Sequence, residues 1–96
     1  MLFLITYDVN TESETGKSRL RRVAKACVNC GQRVQNSVFE CSLDTLQKEM
    51  LRKKLLEIIE LDKDSIRIYH LGKNGQEKIE HFGVKPGYDP NDVMMV

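Results

Sequence analysis

The first nine residues of the chain, MLFLITYDV, are almost all aliphatic, aromatic or β-branched, and they run straight into the polar stretch 10–16. A run of that length ended by turn residues reads as a central β-strand covered on both faces. Leu2, Leu4, Thr6 and Asp8 share one face of it, and Phe3, Ile5, Tyr7 and Val9 share the other. Asp8 stands where the strand leaves the core. With 96 residues the chain has room for one core, burying about 60–70% of the surface its unfolded form exposes. Everything else must be arranged around this strand.

From residue 17 to residue 30 the apolar positions Leu20, Val23, Ala24, Cys27 and Val28 recur at helical spacing, and Gly31 is placed to stop that helix in a left-handed conformation. Residues 32–43 read as extended, but their parity changes. Val34 and Val38 are in one phase and Phe39, Cys41 and Leu43 in the other, which a bulge or bend near Ser37 reconciles. Asp44 and Gln47 have the spacing of a capping box, opening a second helix striped by Leu51, Leu55, Ile58 and Ile59 that runs to about Glu60. Residues 64–71 alternate Ile66, Ile68 and His70 against Arg67, Tyr69 and Leu71. Residues 72–75 supply a turn, and residues 78–82 read as a last strand.

This order predicts an α+β fold, a ferredoxin-like βαββαβ sandwich with an extra C-terminal strand, occupying residues 1–83. Residues 84–96 form a polar tail with Pro86, Gly87 and Pro90 that ends in VMMV. Such an apolar tip is either disordered or docks on a partner chain. A sheet of this kind has helices on one face and nothing on the other. If the bare face is apolar, a homodimer packed sheet on sheet covers it.

A formal net charge of +1 excludes nucleic-acid binding by overall positive charge and leaves only a local patch. Residues 17–25 provide one, with Lys17, Arg19, Arg21, Arg22 and Lys25 and no acid, after a loop that holds Glu12 and Glu14. The ordinary fate of such residues is a solvated helix face, yet acids for i,i+4 pairing are missing within the run. The opening run is too short to span a bilayer and lacks the basic region and cleavage site of a signal peptide, so a cytoplasmic protein without a membrane partner is expected. Three cysteines, an odd count, fit a reducing compartment.

Tyr7, Asp8 and Val9 at the strand end, LRRVAK at residues 20–25, Gly31 followed by RVQNSVFEC at residues 33–41, and IEHFGVKP at residues 79–86 together resemble the small CRISPR-associated proteins of the second universal Cas family. The resemblance spans most of the chain. It implies a homodimer that acts in spacer acquisition with the CRISPR integrase, the first universal Cas protein, and that binds DNA or RNA. It also implies a metal-dependent endonuclease in which Asp8, as catalytic residue and metal ligand, shares Mg²⁺ with its symmetry mate; Mn²⁺ can serve instead.

Two carboxylates with waters and phosphate oxygens suit a hard cation, whereas one Asp alone is a poor site. On the residues alone, Asp8 reads as a cap of the following turn. Arg19, Arg22 and Arg33 are candidate phosphate contacts because a guanidinium presents a planar fork to phosphate oxygens. Arg33 matches the basic residue at the start of the family's second strand. Tyr7 and Phe39 are candidate supporting residues; Phe39 matches an aromatic associated with activity in the family, and otherwise reads as core or dimer packing. The alternative function is a non-catalytic adaptor that bridges integrase dimers and protospacer DNA.

Cys27 and Cys30 form a C-x-x-C at the C-terminal end of their helix, where the dipole raises thiol pKa values, opposite to a redox site. Zinc would need two more ligands from Cys41, His70 and His81 in no recognised spacing, so these residues read as core and packed histidines. No P-loop, dinucleotide-binding glycine pattern or serine elbow is present, which removes nucleotide hydrolysis and dinucleotide chemistry. A small-ligand regulatory module would want a glycine-rich ligand turn and has no use for the arginine cluster.

Overall fold

A computed structural model describes residues 1–72 and 78–84. The turn expected at residues 72–75 lies, apart from Gly72, outside the described residues, and so does the tail beyond Val84.

β1 (Leu2–Asp8) is the middle strand because both its edges are paired, one by β3 (Val38–Ser42) and one by β4 (Ser65–Leu71). β2 (Gln32–Gln35) adds outside β3 and β5 (Lys78–Gly83) outside β4, giving an antiparallel sheet in the order β2-β3-β1-β4-β5. Two helices, α1 (Glu14–Val28) and α2 (Thr45–Ile58), complete the ferredoxin-like α+β arrangement with its added fifth strand.

Alternation along the strands decides what the helices cover. Phe3, Ile5 and Tyr7 of β1, Phe39 and Cys41 of β3, and Ile66 and Ile68 of β4 are buried in one cluster with Val23, Ala26 and Cys27 of α1 and Leu51, Leu55 and Ile58 of α2. At about 1.5–3 kcal/mol for each large side chain, this burial is the main stabilising term. The expectation that β1 is covered on both faces is corrected within one chain. Its other face, Leu2, Leu4, Thr6 and Asp8, has no helix over it, and Leu2 is 38% exposed. Register sets Leu4 beside Tyr69 and Tyr69 beside Ile79, so the bare face carries an apolar band.

Four local expectations also change. α1 begins at Glu14 rather than at residue 17, because the Ser13 side chain accepts the Gly16 N–H and caps the helix. Val28 is 54% exposed, since the face turned to the sheet is Gly16, Arg19, Val23, Ala26 and Cys27. Gly31 is not a left-handed stop; among the described glycines only Gly83 has positive φ. Gly31 is needed for close approach, because a Cβ there would lie 2.4 Å from Cys41 Sγ and 2.5 Å from Glu40 O. The bend near Ser37 is a full chain reversal between β2 and β3, with the register shift between Arg33 and Gln35.

α2 starts as expected, with both halves of the Asp44–Gln47 capping box present. No helix among the described residues is long and apolar enough to cross a membrane.

Candidate active site

Asp8 is the last residue of β1 and lies on the uncovered face, exposed to solvent. Strand alternation puts it there, since Tyr7 before it and Val9 after it are both buried. The turn behind it is capped by other groups: Asn10 Oδ1 accepts the Glu12 N–H at 2.9 Å, and Ser13 Oγ accepts the Gly16 N–H at 3.1 Å. Asp8 forms no ion pair among the described residues. Its carboxylate oxygens have the hard-donor chemistry that Mg²⁺ takes. No three His, Cys, Asp or Glu side chains among the described residues are grouped to hold a metal.

Arg19 is not available to phosphate, which corrects its assignment as a contact. Its side chain turns under α1 and is buried, donating from Nε to Asp64 Oδ2 at 2.7 Å and from Nη2 to Asp64 Oδ1 at 3.3 Å, with Nη1 2.6 Å from Glu60 Oε2. The helix position that looks like part of a basic face is the one turned toward the sheet. Asp64 was not a sequence candidate. It is fully buried and also accepts the backbone N–H of Asn10 at 3.0 Å and of Glu60 at 2.9 Å. Burial raises its carboxyl pKa, but these donors, led by Arg19, hold it below the usual carboxylate range. An acid one residue before a strand carries no local signal of this role, because its chief partner is 45 residues away.

Arg22 stays exposed and lines a groove between the two helices with Lys25, Asn29, Lys54 and Glu57 over Ala26 and Ile58. Three cations against one acid make this a locally positive surface, and Lys54 joins it only through the packing of α2 on α1. Arg33 is exposed on β2, its guanidinium 5.1 Å from the centroid of the Phe39 ring. Phe39 in turn stacks on Tyr7, with centroids 6.0 Å apart and rings inclined by 21°. Phe39 has no exposed surface, so it cannot receive a nucleobase; it props Arg33. The Tyr7 hydroxyl donates to Asn36 O at 3.4 Å, and burial raises its pKa above the ordinary tyrosine value.

The remaining candidates for chemistry are packed groups. Burial pushes the Cys27 thiol up to about 12 and the Cys41 thiol up to about 11, well away from reactive thiolates. His70 meets Phe3 edge-on with centroids 4.9 Å apart and bonds to Glu80, which also binds Lys48 of α2. His81 accepts from Arg67 Nε at 3.2 Å on Nδ1 and contacts Val84 O at 3.0 Å through Nε2.

Comparison with known proteins supplies the context for this geometry. The sequence pattern of the family described as CRISPR associated protein Cas2 matches residues 1–79. A protein of Halalkalibacterium halodurans named CRISPR-associated endonuclease Cas2 is 56% identical over 95 residues, covering 99% of each chain. A Nitratidesulfovibrio vulgaris protein named CRISPR-associated endoribonuclease Cas2 is 50% identical over 96 residues, covering 100% of this chain and 94% of that one. The crystal structure of Streptococcus pyogenes Cas2 at pH 6.5 superposes with a TM-score of 0.71 at 57% identity, covering 77% of this chain and 89% of the other.

Proposed function

The chain belongs to the CRISPR-associated Cas2 family, and we propose that it acts as a homodimer in spacer acquisition, handling nucleic acid beside the CRISPR integrase and cleaving phosphodiesters through Asp8 of both chains with Mg²⁺. One observation carries the reading: Asp8 is an exposed carboxylate at a strand end, on the same uncovered face as the apolar band that a second copy would cover. An isologous interface sets the same patch of each chain against the other, so it supplies carboxylates in pairs. The two Asp8 side chains would hold the ion, which when bound activates water and offsets charge developing on the phosphate. Arg33, braced on Phe39, and Arg22, in the groove with Lys25 and Lys54, serve as phosphate contacts.

A specific observation favours the adaptor as the second reading. The groove of Arg22, Lys25 and Lys54 lies between the helices, on the side of the sheet opposite to Asp8. Nucleic acid held there is carried without being offered to the carboxylate.

The experiment pairs two rates for Asp8→Asn: cleavage of labelled RNA and duplex DNA with Mg²⁺, Mn²⁺ or chelator, and spacer integration with the integrase. Asn keeps the shape and removes one charge from each chain, so cleavage is expected to collapse while the fold and DNA binding persist. Retained integration identifies an adaptor that carries a dispensable nuclease. Loss of both makes the metal site essential, and unchanged metal-dependent cleavage overturns the Asp8 assignment. In the same assays Arg22→Glu with Lys54→Glu is expected to weaken binding and flatten its salt dependence, by a slope of about 0.9 for each phosphate no longer neutralised.

A further inference from the structure

The segment that carries Asp8 out of the sheet is fastened from behind by a residue the proposed chemistry does not use. Asp64 is fully buried immediately before β4, and its two carboxylate oxygens take four N–H donors: two from Arg19, one from Glu60 and one from Asn10. The Asn10 donor belongs to the loop that leaves β1, two residues beyond Asp8. On the other side of that loop Gly16 of α1 packs so closely that a Cβ there would lie 2.0 Å from Asn10 O. The Asn10 peptide is thus held between Asp64 and the first turn of α1. Asp8 itself is the last register position of β1, opposite Ser65, the residue that follows Asp64. The acceptor of the Asn10 N–H and the ladder partner of Asp8 are thus the adjacent residues 64 and 65, while on the other edge of β1 the Tyr7 N–H donates to Ser37 O at 3.1 Å.

The geometry points to Asp64 as a positioning residue for the Asp8 carboxylate, acting through the Asn10 N–H and itself oriented by the fork of Arg19. This rests on the reading of Asp8 as the carboxylate that serves cleavage. An exposed side chain at a strand end is located only as well as its backbone, and the last pair of a ladder frays most readily. A displacement of about 1 Å at a reacting group is enough to lower turnover about 100-fold. The Asp64 tether closes the strand end against that motion without touching substrate or metal.

The test measures amide hydrogen exchange and cleavage kinetics in Asp64→Asn, Arg19→Lys, Leu55→Ala and Asp8→Asn, in the full chain. In Asp64→Asn the Asn10 amide is expected to exchange at least about tenfold faster while β3 amides keep their rates. The same variant should lose about 10- to 100-fold in kcat, with KM for nucleic acid unchanged. Arg19→Lys keeps the buried charge but not the fork, so it should move both readouts less in the same direction, and it decides the matter if Asp64→Asn does not fold. Leu55→Ala weakens the core at α2 without touching the loop and should leave kcat in place. Unchanged exchange at Asn10, unchanged kcat despite faster exchange, or an equal kcat loss in Leu55→Ala each overturn the proposal. Cleavage that survives Asp8→Asn removes the nuclease reading and the catalytic consequence with it; exchange at Asn10 tells that failure apart from failure of the tether.

Discussion

At the scale of single residues, Asp64 and Arg19 show how much of a site can be hidden from the sequence. Burial would drive the Asp64 carboxyl up, and the donors around it, Arg19 first, drive it down further, so its folded-state pKa is depressed. Its contribution to stability is therefore fully present above the ordinary Asp value of about 3.9 and is lost as pH falls through the folded value. Asp64→Ala, which leaves a buried guanidinium short of its partner, is expected to lower stability by about 3–5 kcal/mol in urea unfolding at neutral pH. The difference from the parent should shrink as the pH drops below about 4. A difference that is constant with pH would mean that the carboxylate charge is not what stabilises. The place of Asp8 at the mouth of β1 was legible because the apolar run ends there, whereas its lying on an uncovered face was not, since the run reads as covered on both faces. Arg19 was misread although its spacing carries the signal: it lies four residues before Val23 and eight before Cys27, on the stripe that α1 buries. What the sequence hides is the partner that satisfies its charge, 45 residues away.

At the scale of elements, local signals carried what local chemistry controls. The capping box of Asp44 and Gln47 marked the start of α2 because both hydrogen bonds are made within four residues. The parity change around Ser37 marked an irregularity that reads as a bulge or bend in one extended segment, and the structure makes it a chain reversal, since side chains on either side of a reversal return to the sheet in a new phase. What failed was Gly31, whose reason lies in β3 and not in α1. Replacing it by Ala would push a Cβ toward Cys41 Sγ and the backbone oxygen of Glu40, and a backbone carbonyl cannot swing aside. Gly31→Ala is expected to destabilise by about 1–3 kcal/mol, the usual range for overpacking. A left-handed stop would give a different pattern, in which Gly31→Asn is tolerated better than Gly31→Ala. Equal or reversed tolerance in thermal melts separates the two causes, with Asn, the larger side chain, expected to be worse here.

At the scale of the whole molecule, the uncovered face of the sheet sets the final expectation. Leu2, Leu4, Val38, Tyr69, Leu71 and Ile79 lie on it by register, around an Arg67 that is held by Tyr69 Oη at 3.2 Å and by His81. A surface of this kind calls for a partner, and light scattering at micromolar concentration is expected to give twice the 11.1 kDa of one chain. Leu4→Lys, in the middle of the band, should return the monomer mass. Asp8 stands at the end of the same face, and on the proposed reading the two Asp8 side chains come together across the dimer as like charges. Two unit charges about 4 Å apart in water-like surroundings repel by about 1 kcal/mol, and salt screens them. Without divalent metal and at low ionic strength, Asp8→Asn should therefore tighten the dimer about fivefold. Adding Mg²⁺ should abolish that advantage, because an ion shared between the carboxylates offsets their repulsion only where both charges remain. A dimer constant that is the same for both proteins with and without Mg²⁺ would mean that the two Asp8 side chains do not meet, and the shared metal site would fall with that result while the dimer itself would stand.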